Sequence, residues 1–167
     1  MKKCVFAGSF DPFTLGHLDV VEKALSLFDE VYVVVSGDVR KNALLTCEDR
    51  VNLIKKAVNN KNVKVVAVDG LLADYCAENG IKFIVKGARN STDFNYENEM
   101  NKINKSLGEI ETILFFASPT KSFISSSFVR ELLRLKKDIS AYVPREICKD
   151  IVSLYSKEET KHNTIKV

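Results

Sequence analysis

KCVFAGSFDPFTLGHLDVVEKAL, residues 3–25, is the stretch from which the fold follows. A short apolar run from Lys3 to Ala7 predicts a buried strand, the loop Gly8 to Leu15 follows it, and helical spacing of apolar residues begins at His17. A continuous β-branched run, Val31 to Val35, then predicts a second strand. Apolar strands that alternate with helices are typical of a parallel sheet covered on both faces.

The same alternation continues along the rest of the chain. Further strands are predicted at 63–68, 82–86 and 112–117, helices at 46–58, 71–79 and 92–107, and two last helices from Ser125–Ser127 and near Pro144. Such a chain folds as a doubly wound, Rossmann-like α/β domain with right-handed crossovers. We predict a single-domain, parallel five-stranded sheet of order 3-2-1-4-5 with helices on both faces. The ligand crevice should then lie between strands one and four, beside the loops that follow Ala7 and Lys86.

The domain boundaries and the class of protein follow from composition. We assign residues 1–157 to the domain and the polar residues 158–167 to a frayed, flexible tail. A net charge of +3 and dispersed lysines argue against a dedicated nucleic-acid binder, and no apolar stretch approaches the roughly 20 residues of a membrane span. The cysteines form no C-x-x-C or Cys/His cluster, which argues against a zinc site and a disulfide framework; they are Cys4, Cys47, Cys76 and Cys148. We therefore expect a cytoplasmic protein without nucleic-acid or membrane partners.

The loop after the first strand carries the residues that most strongly indicate chemistry. Its glycines match the spacing of neither the G-x-G-x-x-G fingerprint nor the Walker A loop. Gly8 permits a tight turn, Ser9 offers a hydroxyl and an amide, and Gly16 and His17 begin a helix whose N–H groups attract anions. A lone histidine is more often structural than catalytic, so the loop alone leaves both interpretations of His17 open.

A second motif, ISSSFVR, lies at residues 124–130. Three serines at a helix start are, by themselves, most simply explained as helix caps. Together with TLGH at residues 14–17, however, they resemble the two signatures of the nucleotidylyltransferase superfamily, (H/T)-x-G-H and I-S-S-(S/T)-x-x-R. Hydroxyls, amides and a helix dipole of this kind can surround a triphosphate. We therefore expect the two distant stretches to converge on one pocket.

Within that superfamily the chain resembles the phosphopantetheine adenylyltransferase family over residues 2 to about 155. GSFDP followed by TLGH, KGAR at 86–89 and DFNYE at 93–97 are typical of this family. The resemblance implies transfer of the adenylyl group of ATP to 4′-phosphopantetheine, giving dephospho-coenzyme A and pyrophosphate in coenzyme A biosynthesis. Direct in-line attack without a covalent intermediate is expected. The resemblance also implies a homohexamer, coenzyme A as a feedback inhibitor, and Mg²⁺ held mainly by the ATP phosphates rather than by protein ligands.

The resemblance further implies a role for individual residues. The catalytic residues would be His17, as transition-state stabiliser, together with Lys41 and Arg89. Contacts to the acceptor are expected from Ser9, Lys41, Leu72, Lys86 and Asn104. Contacts to ATP are expected from Ser9, Phe10, His17, Gly87, Ala88, Arg89, Glu97, Lys121, Ser122, Phe123, Ile124, Ser125, Ser126 and Ser127. Glu97, Met100 and Asn104 share one face of the long helix, which is either a pocket wall or an ordinary half-buried stripe.

A few positions depart from the family pattern. Lys86 stands where arginine is commoner, so the charge remains but the bidentate fork is lost. Glu99 and Asn101 replace the more usual glutamine and alanine, and Lys121 occupies a place that is often aromatic. We therefore expect weaker orientation of the acceptor and weaker stacking on adenine.

Two alternative functions remain open at this stage. One is nucleotidyl transfer to another phosphorylated acceptor, such as nicotinate mononucleotide or, from CTP, glycerol phosphate. The other is a non-catalytic nucleotide-binding module. Thr14 in place of the first histidine of the signature and the pair Tyr96–Glu97 favour phosphopantetheine. Cations on both sides of the α-phosphate, which mere nucleotide binding does not need, argue against the non-catalytic module.

Overall fold

Strands and helices alternate along the chain in the computed structural model, which describes residues 1–37 and 43–164. In chain order the elements are β1 (Lys3–Gly8), α1 (Leu15–Leu25), β2 (Glu30–Ser36), α2 (Cys47–Val58), β3 (Val63–Val68), α3 (Leu72–Glu78), β4 (Phe83–Ala88), α4 (Ser91–Leu107), β5 (Glu111–Phe116), α5 (Ser126–Arg134) and α6 (Arg145–Thr164). The predicted elements are all present, with ends that differ by a few residues at most, except at the C-terminus.

The five strands form one parallel sheet in the order β3-β2-β1-β4-β5, which confirms the predicted topology. Strands β1 and β2 pair along their length from Lys3–Glu30 to Gly8–Val35. The register between β1 and β4 contains the single pair Val5–Ile84. The two central strands are thus least tightly joined toward their carboxyl ends, which is where the winding direction of the fold reverses and where a ligand crevice is expected.

Alternation of side chains along the strands explains why helices cover both faces. In β2, Val31, Val33 and Val35 point into the larger core cluster, which includes apolar residues of α1, α2, α5 and α6. Tyr32 and Val34 point into the smaller cluster, which includes Ala73 and Cys76 of α3. Because successive residues of a strand face opposite sides of the sheet, a fully apolar strand requires a helical layer on each side.

The C-terminal segment differs from the prediction. Helix α6 continues to Thr164, so the backbone at 158–164 is helical where we expected a frayed tail. Glutamate and lysine, which are frequent in this segment, are good helix formers, and extending an existing helix avoids the cost of nucleating a new one. The division of the chain into a domain and a tail remains a prediction.

The four cysteines are free thiols. Cys4 and Cys76 are buried, and desolvation raises the pKa of the Cys4 thiol to about 12 and that of Cys76 to about 11. Both thiols are therefore protonated and unreactive at neutral pH. Within residues 1–37 and 43–164, no helix has the length and apolar character that a membrane crossing requires.

Candidate active site

A cleft of about 1030 Å³ opens at the carboxyl ends of β1 and β4. Its volume is at the upper end of the range for small-molecule sites, as two substrates bound side by side would require. Most of the site residues predicted from the sequence line it: Ser9, Phe10, His17, Lys86, Gly87, Arg89, Glu97, Lys121, Ile124, Ser125, Ser126 and Ser127. The location confirms the crevice predicted between strands one and four.

The two sequence motifs meet on one wall of this cleft. The Ser126 hydroxyl donates to the carbonyl of Pro12 at 2.9 Å, and the Arg130 guanidinium donates to the carbonyl of Asp11. Gly16 packs so closely on the second motif that a Cβ built on it would lie 3.3 Å from the carbonyl oxygen of Ile124. Residues more than a hundred positions apart thus converge as expected.

His17 sits in the first turn of α1, where Thr14 is the N-cap. The His17 amide donates to the Thr14 hydroxyl, and the Thr14 amide donates to Nδ1 of His17 at 3.0 Å. This reciprocal arrangement is a capping box, with histidine in the place usually taken by glutamate or glutamine. It explains why the helix begins at Leu15, two residues before the predicted start.

The His17 ring is enclosed by three phenylalanine rings, those of Phe6, Phe10 and Phe13, whose centroids lie 5.1 to 6.2 Å from its own. Desolvation, with a smaller contribution from the positive charge of Arg89, lowers the pKa of His17 to about 4. The imidazole is therefore neutral at pH 7. Because Nδ1 accepts the Thr14 amide, the proton of the neutral ring resides on Nε2. His17 thus presents one N–H donor to the cleft.

Lys86 and Arg89, which line the cleft at the carboxyl end of β4, each lie beside a carboxylate of α4. Arg89 forms an ion pair with Asp93, with Nε and Oδ2 2.8 Å apart, and this hydrogen bond lowers the pKa of Asp93. Lys86 lies 3.5 Å from a carboxylate oxygen of Glu97. Asn90 caps α4 through the Asp93 amide, which fixes the helix that carries both carboxylates. The cleft therefore contains positive groups in defined positions before any anion enters.

The serines at the start of α5 have separate tasks. Ser125 is the N-cap and accepts a hydrogen bond from the amide of Phe128. For this residue, the interpretation as a helix cap holds. Ser127 accepts a hydrogen bond from Arg130, and Ser126 is bound to the first loop as described. First-turn amides of a helix have no partner within it, so the amides of Ser126 and Ser127 are suited to an anion in the cleft.

The start of α1 offers fewer amides than the sequence suggested. The Leu15 amide donates to the carbonyl of Tyr142, and the His17 amide is used by the capping box. On this side of the cleft the imidazole of His17, rather than the helix terminus itself, is therefore the principal donor.

Lys41 lies outside the described residues, so its predicted role stays a prediction. Among the described residues, several predicted ones do not line this cleft. Leu72 packs against the smaller core cluster, and the carbonyl of Ala88 accepts the amide of Ala117. Asn104 is partly buried on the same face of α4 as Glu97, but it lies beyond the lining residues. Ser122 donates to the carbonyl of Pro119, and Phe123 is exposed.

The structure adds residues that the prediction missed. Arg50 is buried, lines the cleft and donates to the carbonyls of Ser9 and Ser36. The Asp11 carboxylate accepts the amides of Leu44 and Leu45. A signal existed for Arg50, since with Leu53 and Ile54 it occupies the buried face of α2. Helical spacing places an apolar residue at this position, so an arginine there indicates a buried guanidinium that is bound by polar groups of the fold.

Among the described residues, the carboxylates that line the cleft already have partners. Asp11 binds backbone amides, Asp93 binds Arg89, and Glu97 faces Lys86. In the part of the chain that the structure describes, no three His, Cys, Asp or Glu side chains are grouped in a way that could hold a metal ion.

Comparison with known proteins agrees with this geometry. The profile of the cytidylyltransferase-like family matches residues 5–132. A phosphopantetheine adenylyltransferase of Frankia alni is 44% identical over 90% of this chain and 96% of its own length, and one of Thermotoga neapolitana is 43% identical over 92% and 94%. A solved structure from Vibrio parahaemolyticus, described as a proposed nicotinate-nucleotide adenylyltransferase, has the same fold with a TM-score of 0.67 at 23% identity, covering 93% of this chain and 96% of its own. The chain therefore belongs to the phosphopantetheine adenylyltransferase family, within the larger cytidylyltransferase-like group.

Proposed function

We propose that this chain transfers the adenylyl group of ATP to 4′-phosphopantetheine, giving dephospho-coenzyme A and pyrophosphate. One observation carries the proposal: the TLGH and ISSSFVR motifs meet on one cleft that also contains Lys86 and Arg89. The names of the relatives in Frankia alni and Thermotoga neapolitana support the choice of acceptor.

The nucleophile requires no general base from the protein. A phosphate monoester has a second pKa near 6, so most of the acceptor is a dianion at neutral pH. An acceptor oxygen forms a bond to the α-phosphorus of ATP while the bond from that phosphorus to the bridging oxygen breaks, and pyrophosphate leaves with the bonding electrons. The task of the enzyme is to align two anions and to stabilise the charge that develops on the α-phosphoryl oxygens.

His17 supplies the donor for that charge. Its Nε2–H hydrogen-bonds an α-phosphoryl oxygen, while the Thr14 amide on Nδ1 fixes the tautomer and the orientation of the ring. A neutral donor keeps its proton throughout the reaction, so the same form serves the ground state and the transition state. Removing one preorganised donor usually costs about 10² to 10³ in turnover. We expect this loss in His17→Ala.

Lys86 and Arg89 bind the other phosphate groups of the two substrates. Lys86 binds the acceptor phosphate, and its contact with Glu97 keeps the ammonium on the cleft wall. Arg89 and the first turn of α5 receive the leaving pyrophosphate, with Asp93 orienting the guanidinium. We assign Lys41 a similar role near the reacting phosphates, so Lys41→Ala should lower turnover rather than ATP affinity alone.

Mg²⁺ is the expected cofactor, and it would be bound chiefly by phosphate oxygens, because Asp11, Asp93 and Glu97 are already engaged. When bound, the ion neutralises part of the triphosphate charge. Chelation with EDTA should abolish turnover, and added Mg²⁺ should restore it.

We also propose that the enzyme works in the cytoplasm as a homohexamer. Free cysteines suit a reducing compartment. Helix α4 has no buried residue and exposes Ile103 and Leu107, which are four positions apart and so share one face. Exposed apolar residues on one face are suited to contact another subunit. Light scattering should give six times the mass of one chain. Ile103→Asp should reduce that mass, whereas Leu71→Asp, a change at an exposed leucine before α3, should not.

Coenzyme A is expected to inhibit by occupying the same cleft. It contains the adenylyl and pantetheine parts of both substrates, so it would compete with each. Inhibition that persists unchanged at saturating ATP and acceptor would contradict this assignment.

An acceptor panel tests the proposed function. Purified enzyme with Mg²⁺ and ATP is given 4′-phosphopantetheine, nicotinate mononucleotide or glycerol phosphate, the last also with CTP, and both pyrophosphate release and the mass of the product are measured. We expect dephospho-coenzyme A from the first acceptor and background rates from the others. Faster turnover of another acceptor would refute the choice of substrate. Binding of ATP without turnover of any acceptor would favour the non-catalytic module.

A further inference from the structure

A buried carboxylate joins α1 to the loop after β5 on the nucleotide side of the cleft. Asp19 lies two residues after His17 and is buried. Its Oδ1 accepts the Ser118 hydroxyl at 2.7 Å, and its Oδ2 accepts the Ser118 amide at 3.2 Å. Both oxygens of one side chain therefore hold one residue of a loop that is 99 positions away in sequence.

Two lysines also contact the Asp19 carboxylate. Lys23, one turn further along α1, lies 2.7 Å from Oδ2 and also donates to the carbonyl of Phe116. Lys121 lies 3.4 Å from Oδ1. Hydrogen bonds from Lys23 and Ser118 outweigh the effect of burial and lower the pKa of Asp19 to about 2, so the group is an anion at every pH at which an enzyme of this kind would work.

The contacts of Asp19 fix a segment that lines the cleft. Ala117, Lys121 and Ile124 line the cleft, and the segment leads directly into the serine-rich start of α5. Apart from its contact with Asp19, the Lys121 ammonium has only a longer ion pair to Glu22, at 3.9 Å, among the residues that the structure describes. The position of this ammonium on the cleft wall thus depends mainly on Asp19.

We propose that Asp19 is a positioning residue that holds Ser118 and Lys121 in place and thereby shapes the ATP side of the cleft. The inference deepens the proposed function and rests on it. Asp19 itself does not line the cleft. An asparagine has almost the same shape, but its NH₂ group would face the donors of Ser118 or of the lysines. The substitution therefore breaks the arrangement without leaving a cavity.

The test is Asp19→Asn in the full-length enzyme. ATP affinity is measured by calorimetric titration, and the KM values for ATP and for the acceptor by steady-state kinetics. We expect about a tenfold or larger rise in the Kd and KM for ATP, with a change of less than about twofold in the KM for the acceptor, because a displaced wall weakens one substrate site only. Asp29→Asn is the matched control, since the Asp29 carboxylate binds the Lys2 amide before β2. It should leave both constants unchanged.

A purely structural role predicts a different pattern. Ile151→Val, on the buried face of α6, provides a destabilised enzyme with an intact cleft. If Asp19→Asn lowers Tm as Ile151→Val does but leaves the ATP constants unchanged, or weakens both substrates equally, the proposal is wrong.

Milder variants cover the case in which Asp19→Asn does not fold. Ser118→Ala removes one bond to Asp19, and Lys121→Met removes the positioned charge. Each should raise the KM for ATP several-fold and leave that of the acceptor unchanged, and unaltered ATP constants in both would overturn the proposal. Calorimetry measures ATP binding without turnover, so the role of Asp19 can be tested even if the wild-type enzyme makes no dephospho-coenzyme A. If no product forms but Asp19→Asn still weakens ATP binding, the proposed function fails and the role of Asp19 in nucleotide binding stands.

Discussion

Acidification from pH 7 to pH 5 should destabilise the folded protein through His17. The pKa of this residue is about 4 in the folded state, against an ordinary value of 6.5. Between these two values the unfolded chain binds more protons than the folded chain. Stability therefore falls as the pH decreases through this range and is recovered at higher pH.

The size of the effect follows from the two pKa values. The full difference between them corresponds to about 3 kcal/mol of unfolding free energy. Most of it, about 2 kcal/mol, is lost between pH 7 and pH 5, because the unfolded histidine is almost fully protonated at pH 5 while the folded one is still mostly neutral. A loss of this size is a large fraction of the stability of an ordinary domain.

Urea unfolding of the wild type and of His17→Gln at both pH values measures the contribution of His17 to the free energy of unfolding. Glutamine does not titrate, so the carboxylates, which titrate in both proteins, cancel in the comparison. Protein concentration is held fixed because association would add to the apparent stability. The wild type should lose about 2 kcal/mol more than His17→Gln between pH 7 and pH 5.

Equal losses in the two proteins would refute this reasoning. His17 would then titrate near its ordinary value, and the neutral imidazole with its proton on Nε2 would not be the form present in the cleft. Turnover offers a second check. With a neutral donor, the rate at saturating substrates should not decline as the pH rises from about 6.5 to 8, whereas an imidazolium donor would lose about tenfold in rate per pH unit above its pKa.

Substitutions at Gly87, Arg130 and Lys86 test the packing and the charges of the site. Gly87→Ala should destabilise the protein by about 1 to 3 kcal/mol, because the added Cβ would lie 2.8 Å from Cγ2 of Val20; an unchanged Tm in thermal unfolding would contradict the close packing of β4 on α1. Arg130→Met should lower kcat/KM by about tenfold or more, because it removes the hydrogen bond that joins the two motifs. Arg134→Met, one turn later and paired with Glu131 on the exposed face of α5, should have little effect in the same assay. Lys86→Met should raise the KM for the acceptor by about tenfold or more while that for ATP stays within about twofold, and Lys86→Arg should lower the acceptor KM below the wild-type value by restoring a bidentate contact; steady-state titration of each substrate decides both points.

The order of elements and the place of the cleft could be predicted because they depend on local patterns. The β-branched run in β2 and the helical spacing after it reflect neighbours in sequence. The switch point between β1 and β4 then follows from the handedness of crossovers. Helix ends were less accurate because single contacts decide them: the exchange of hydrogen bonds between Thr14 and His17 moves the start of α1 to Leu15.

The charged residues that support the cleft from α1 and α2 could not be predicted in the same way. Asp19 and Arg50 each resemble an ordinary polar residue on a helix, and their partners are distant in sequence. Asp19 binds Ser118, and Arg50 binds the carbonyl of Ser9. Nothing in the spacing of a single helix specifies such partners. The sequence does show that a charged residue stands on the apolar face of a helix. This indicates that the residue is buried, but it does not identify the partner that binds its charge.

A crystal structure with α,β-methylene-ATP tests the central claim most directly, since this analogue cannot release its adenylyl group. The two motifs should flank its triphosphate, with an α-phosphoryl oxygen within hydrogen-bond distance of Nε2 of His17 and the terminal phosphates beside Arg89 and the first turn of α5. Nucleotide bound outside the cleft between β1 and β4, or bound within it with the α-phosphate out of reach of His17, would contradict the claim.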